Sequence, residues 1–173
     1  KKVPCVFITH QLNVLSGNTT WFSSKIHQRI IKKFTVCWVP DVKEKPNLTG
    51  KLGHLKKSNF NITYLGPLSR FEKKNTIMVY HLLVLLSGPE PQRFLLEKKL
   101  ILELQSYKGK VLFVAGKIEK EQTREEIQLS KGKITRYNFM QSKDLEKAIN
   151  SSEYVLCRSG YTTVMDLAKL GKR

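Results

Sequence analysis

Acid is what this chain has least of. Against 31 lysines and arginines stand 14 aspartates and glutamates, for a formal net charge of +17 over 173 residues. Residues 1–66 hold 11 basic residues and 2 acids, and residues 67–173 hold 20 and 12, so the excess per residue is larger in the first part. Long apolar runs are missing too. None reaches the roughly 18 residues of a membrane span, and the longest, His81-Leu-Leu-Val-Leu-Leu86, has the length of a buried strand. The first residues lead straight into a strand-like run, without the layout of a signal peptide. Three cysteines, Cys5, Cys37 and Cys157, are an odd number without metal-ligand spacing. They point to reduced, mostly buried thiols in a cytoplasmic protein. In that setting the sequons at Asn18, Asn47 and Asn61 read as chance. No Asp-x-Asp pair, internal repeat or low-complexity tract occurs.

What is present is a globular composition, 40% hydrophobic and 26% charged. The basic excess attracts polyanions: nucleic acid, anionic headgroups or phosphorylated substrates. A lysine-rich proteome accounts for it equally well. A nucleic-acid-binding module is disfavoured, because the aromatics fall mainly at strand-like or helix-face positions and no known binding motif occurs.

Patterning predicts strands at Val3–Thr9, Thr35–Val39, Ile62–Leu65, Ile77–Leu86, Lys110–Ala115, Ile134–Phe139 and Tyr154–Cys157. It predicts helices at Trp21–Phe34, Gln92–Tyr107, Ser142–Asn150, with Ser142 as cap, and Thr162–Leu170, ended by Gly171. This alternation gives an α/β fold with a doubly wound parallel sheet. Ligands in such sheets sit beyond the carboxyl ends of the strands, so the loops Ser87–Gln92, Ala115–Lys117, Phe139–Ser142 and Arg158–Thr163 are the places to look. A division into residues 1–66 and 67–173 is expected, and both parts read as truncated pieces of larger domains.

The most specific feature is Arg158-Ser-Gly-Tyr-Thr-Thr-Val-Met-Asp166, where a strand delivers a glycine-bearing turn into a helix. Backbone N–H groups there, with the hydroxyls of Ser159, Thr162 and Thr163, can hold phosphate oxygens at the positive end of a helix dipole. Asp166, one turn in, can accept hydrogen bonds from a ribose diol. The plain structural alternative is a capping box between Thr163 and Asp166.

This turn resembles the Arg-Ser-Gly-x-x-Thr-x-x-Glu turn of glycosyltransferase family 28, whose fold is called GT-B. The likeness is to the bacterial group that adds N-acetylglucosamine to a lipid-linked peptidoglycan precursor. The resemblance implies two Rossmann-like halves, a UDP-sugar donor in place of a cofactor, and a diphosphate held by Ser159, Gly160, Thr162 and Thr163. It also implies a ribose contact from Asp166, which stands where the family has Glu. Other segments follow in the family's order. Gly66-Pro-Leu-Ser-Arg70 is similar to its interdomain segment, which makes Arg70 a nucleotide contact. Ser87 and Gly88 open the loop that is glycine-rich in the family, but Pro89 and Pro91 here remove N–H donors. Gly116 matches a strand-end turn near the sugar nucleotide, and Phe139-Met140 the segment whose backbone reads the uracil edge.

Thr9-His-Gln-Leu-Asn13 is similar to a family segment facing the cleft, which implies acceptor-side roles for His10 and Asn13. His10 is the one candidate for catalysis in the chain, but neutral Gln11 beside it gives a general base no support. The family's usual base belongs to an upstream loop with no counterpart here. The implied function is inverting, metal-independent transfer from a UDP-sugar to a membrane-associated or lipid-linked acceptor. The implied location is cytoplasmic, peripheral on the inner face of a bacterial membrane. Residues 1–66 would be part of the acceptor-side domain and 67–173 of the nucleotide-sugar-binding domain, the fragment alone being inactive. A nucleotide-sugar hydrolase of the same fold is the alternative.

Overall fold

The computed structural model describes residues 3–172. It divides into two units, Lys1–Leu68 and Ser69–Arg173. No described helix is long and apolar enough to cross a membrane.

In the first unit, β1 (Val6–Ile8), β2 (Val36–Val39) and β3 (Ile62–Tyr64) form a parallel sheet in the order β1-β2-β3. Helix α1 (Thr20–Ile31) follows a single 3-10 turn, Gly17–Thr19. Because side chains alternate across a strand, Phe7, Cys37 and Ile62 share one face. There they pack with Ile31 of α1 and with Leu12. The other face carries Val6, Ile8 and Trp38, all exposed.

The long loop between β2 and β3 is organised by Asp41, which has no exposed surface. Its carboxylate accepts the N–H groups of Val42, Leu48 and Thr49, at 2.8, 3.0 and 2.8 Å, and the Thr49 hydroxyl at 2.5 Å. A buried carboxylate persists only when its lone pairs are met in this way.

The second unit is a five-stranded sheet in the order β6-β7-β5-β4-β8. Its strands are β4 (Tyr80–Leu85), β5 (Gly109–Val114), β6 (Arg124–Gln128), β7 (Gly132–Tyr137) and β8 (Ser152–Cys157). On one face α2 (Gln92–Glu103) and a terminal 3-10 turn, Leu104–Ser106, cover Leu82, Val84, Val111, Phe113 and Ile134. On the other, α3 (Ser142–Asn150) and α4 (Tyr161–Leu170) cover Leu83, Leu112 and Val114 with Phe71. Strands β4, β5, β7 and β8 are mutually parallel.

The structure departs from the sequence expectations in several places, among them the first strand, which is Val6–Ile8 alone, and the first helix, which ends at Ile31. Strand β6 is antiparallel to β7 and makes an edge hairpin where no element was expected. Residues 77–79 precede β4 rather than belonging to it, and Ile77 is 86% exposed. Gln141, not Ser142, is the N-cap of α3, and its side chain makes no capping bond. Cys5 is exposed, so of the three thiols only Cys37 is buried.

Candidate functional site

In chain order the four parallel strands of the second unit lie third, second, first, fourth across the sheet. The winding direction therefore reverses between β4 and β8. The carboxyl edge beside such a reversal is where doubly wound sheets bind ligands. The loops after β4, β5, β7 and β8 all leave from that edge, so Ser87 and Gly88, Gly116, Phe139 and Met140, and Ser159 and Gly160 share it.

Arg158 joins the two loops that flank the reversal. Its Nη1 donates to the Ser87 carbonyl at 2.9 Å. Gly88 has φ of +110°, and a β-carbon there would lie 2.0 Å from that same nitrogen. The guanidinium thus occupies the space a side chain at position 88 would fill. Among the described residues Arg158 makes no other hydrogen bond, which leaves most of its donors open. The reading of the turn from sequence gave Arg158 no role, although the arginine stands first in the motif.

Helix α4 begins at once. Its N-cap is Gly160, with φ −65° and ψ 134° and no side-chain capping bond. The Thr163–Asp166 capping box is therefore not formed. Ser159 and Thr162 are exposed, and Thr163 is half-buried. Asp166 is 9% exposed and accepts the Ser69 hydroxyl at 2.6 Å on Oδ1, so one carboxylate oxygen is already engaged. Ser69 in turn accepts the Phe71 N–H at 3.0 Å. Arg70 is exposed, its guanidinium carbon 5.1 Å from the centre of the Phe71 ring. Burial raises the Cys157 thiol above its ordinary range, which makes it a poor nucleophile beside the turn.

A second arginine fixes the neighbouring loops. Arg93 is 3% exposed near the start of α2. It donates to Glu90 at 2.7 Å, to Glu97 at 2.6 Å and to the Ala115 carbonyl at 2.9 Å. Glu97 also receives Arg136 of β7, which extends to Glu125 at 2.6 Å. One buried ion network therefore ties the loop after β4 to the end of β5 and to β7. The Glu90–Arg93 and Arg93–Glu97 spacings of three and four were the signal that could have revealed it.

Gly116 is held at φ +72°, and a β-carbon on it would come within 2.1 Å of the Leu86 carbonyl. Only glycine permits that approach of the loops after β4 and β5. Phe139 lies in the loop after β7. Its N–H is taken by the Asn138 side chain at 2.9 Å and its carbonyl receives Gln122 at 2.9 Å. The Phe139 backbone is thus engaged within the chain on both its N–H and its carbonyl. A groove of about 450 Å3 on the α3 side is lined by Tyr137, Met140, Asp144 and Lys147. Of the residues expected at a ligand site it includes Met140 alone.

The first unit's candidates behave differently. The Asn13 amide donates to the Lys51 carbonyl at 2.7 Å and the His54 carbonyl at 3.4 Å, and its oxygen accepts Gln28 at 3.2 Å. Asn13 is accordingly a loop anchor with its amide committed. His10 is half-buried, and burial lowers its pKa, favouring the neutral imidazole. Among the described residues no three His, Cys, Asp or Glu side chains gather as a metal site.

Residues 91–173 match the sequence model of the glycosyltransferase family 28 C-terminal domain. No curated protein and no solved structure matches the chain. The match covers α2, every strand from β5 to β8, α3 and α4, and with them three of the four loops at the carboxyl edge. It makes the protein a glycosyltransferase, which uses a nucleotide-sugar donor and an acceptor, and the parallel-stranded units have the Rossmann-like character of the GT-B fold.

Proposed function

Because residues 91–173 carry a family 28 glycosyltransferase domain, we propose that the protein transfers a sugar from a UDP-sugar to a lipid-linked acceptor at the inner face of a membrane, with inversion and without a metal ion. The observation that carries the donor half of this reading is the Arg158–Ser87 bridge at the strand-order reversal. It sets a cation with open donors beside the start of α4, where peptide dipoles favour negative charge.

In this reading the diphosphate lies along that carboxyl edge. Gly160 and the N–H groups of the first turn of α4 face its oxygens, and Ser159, Thr162 and Thr163 add hydroxyl donors. Arg158 reaches it from the side of Ser87 and Gly88. Asp166 accepts a ribose hydroxyl on the oxygen that Ser69 leaves open, Arg70 approaches the nucleotide, and Met140 reads the base.

Catalysis here is chiefly stabilisation of the leaving group. As the bond between sugar and diphosphate breaks, charge grows on the diphosphate oxygens. Donors already oriented toward them favour that state without reorganising. The acceptor hydroxyl attacks from the opposite side of the sugar, which inverts the anomeric carbon. His10, neutral and half-buried, belongs on the acceptor side of this scheme.

The test is calorimetry of the 173-residue chain with UDP, UDP-sugars and uridine. Saturable binding of UDP, with uridine much weaker, supports the reading. An absence of heat and of thermal shift with every nucleotide sugar at millimolar concentration refutes it. Incubation of UDP-sugar without acceptor then separates transfer from hydrolysis, since a hydrolase releases free sugar.

A further inference from the structure

We propose that the outer edge of β3, with the lysine-rich loop before it, is a docking groove for an extended acidic segment of a partner protein. The inference concerns the first unit alone and does not rest on the donor reading above.

Strand β3 stands last in the order β1-β2-β3, so only its β2 side is paired. The Asn61 carbonyl accepts the Cys37 N–H at 2.9 Å, and the Leu65 N–H donates to the Val39 carbonyl at 2.9 Å. Backbone groups alternate in direction along a paired strand. Asn61, Thr63 and Leu65 therefore face β2, while the N–H and carbonyl groups of Ile62 and Tyr64 point away from it. A groove of about 710 Å3 runs along β3, lined by residues 60–64 with Lys43, His54 and Leu55 of the loop. His54 is fixed there. Its ring stacks on Tyr64 at 5.0 Å, and its nitrogens meet the Val42 and Gly50 carbonyls at 2.9 and 3.0 Å. The groove is thus formed before anything enters it, which lowers the ordering cost of binding.

Charge selects the occupant. The loop carries Lys43, Lys45, Lys51, Lys56 and Lys57, all exposed, against Glu44 alone. Among the described residues none of the five lysines is held in an ion pair. The other acid of the unit, Asp41, is buried on its own hydrogen bonds. An acidic strand brings carboxylates to the lysines, N–H groups to the Ile62 and Tyr64 carbonyls, and apolar side chains to Leu55 and Phe60. A second copy of β3 would set like charges against each other. A nucleic acid would meet the lysines, but its phosphates donate nothing to the outward carbonyls. The lysines thus repel basic strands and attract acidic ones, so the same residues that protect an open edge also choose what may pair with it.

The experiment is fluorescence anisotropy of the full chain with labelled octapeptides of alternating Glu-Val, Lys-Val and Glu-Pro. The Glu-Val peptide should bind saturably, and the Lys-Val peptide should not bind. The Glu-Pro peptide has the same charge, but its prolines remove N–H donors and hold it in the polyproline conformation. It should bind at least about tenfold more weakly, the loss of one to two hydrogen bonds. Lys43→Glu with Lys56→Glu and Lys57→Glu should weaken Glu-Val binding at least about tenfold. All three positions are exposed, and circular dichroism checks that the fold is kept.

Amide hydrogen exchange supplies a second readout. With the Glu-Val peptide bound, exchange at the Ile62 and Tyr64 N–H groups should slow, while Leu65, already paired with β2, changes little. No binding of the Glu-Val peptide, equal binding of either control peptide, wild-type binding by the triple variant, or unchanged exchange at Ile62 and Tyr64 overturns the proposal. Tighter binding of an oligothymidylate, with the same loss in the triple variant, overturns it in favour of a nucleic-acid surface. UDP binding is measured separately, so failure with peptides leaves the donor reading standing, and the reverse also holds.

Discussion

Arg158 Nη1 and the Ser87 carbonyl oxygen, 71 residues apart in sequence, are 2.9 Å apart in space, and their hydrogen bond spans the point where the strand order reverses. Arg158→Gln keeps a donor but removes the charge. UDP affinity should fall at least about tenfold, in line with the loss of a hydrogen bond to a charged group. Uridine, which has no phosphate, should bind unchanged. Parallel titrations of the two ligands give the comparison, and an equal loss for both would assign Arg158 a purely structural role.

Gly116 combines φ of +72° with a carbonyl oxygen 2.1 Å from where a β-carbon would sit. Gly116→Ala should cost about 2 kcal/mol or more, from the left-handed backbone and the forced retreat of Leu86. In a domain of this size that lowers Tm by roughly 10 °C. Gly160, with φ of −65° and open space around it, is a contrast. Gly160→Ala should leave Tm nearly unchanged, and differential scanning calorimetry of the two variants tests both.

The buried arginine of α2 is expected to show strong coupling. Arg93→Met leaves Glu97 Oε2 and the Ala115 carbonyl without their donor, while Arg136 stays on the other Glu97 oxygen, and should cost about 3 kcal/mol. The double variant Arg93→Met with Glu97→Met should be less damaging than the single one, since Arg136 keeps Glu125. Urea unfolding of the four members of the cycle measures the coupling.

The Asp41 carboxyl is held below its ordinary pKa of 3.8. Burial pushes it upward, but the Thr49 hydroxyl and the N–H groups of Leu48, Thr49 and Val42 outweigh burial. A depressed carboxylate contributes stability that is fully present above the unfolded pKa and fades as pH falls through the folded one. The first unit should therefore lose stability below about pH 4. In Asp41→Asn that acid-dependent loss should shrink while stability at neutral pH drops. Thermal unfolding followed from pH 2.5 to 7 distinguishes the two.

Much of the sheet was legible in the sequence because its central strands are apolar on both faces. Leu82–Leu85 and Val111–Val114 read as strands from composition alone. Strand β6 was hidden by its polarity. Arg124-Glu-Glu-Ile-Gln128 has one apolar residue, and its pairing with β7 is long-range information that no local pattern holds. The carboxyl-edge loops could be located because glycines and prolines punctuate them. What those loops hold could not. The partners of the Asn13 amide at Lys51 and Gln28 were not legible in its motif. Nor was the Ser69 hydroxyl, 97 residues away, that donates to Asp166. A short motif specifies residue types, whereas their hydrogen-bond partners depend on contacts it does not encode.

The polar hairpin has a further effect on the sheet as a whole. Along β6, Arg124 meets Glu126 at 2.7 Å and Lys133 meets Glu126 at 3.2 Å, so the outer margin on that side is a fringe of paired charges. Such a fringe discourages another chain from annealing to the open backbone. The opposite margin, β8, carries the exposed apolar side chains Tyr154 and Leu156. The two borders of the sheet are thereby unlike: the β6 edge is the one guarded by charge, and the β8 edge is the apolar one.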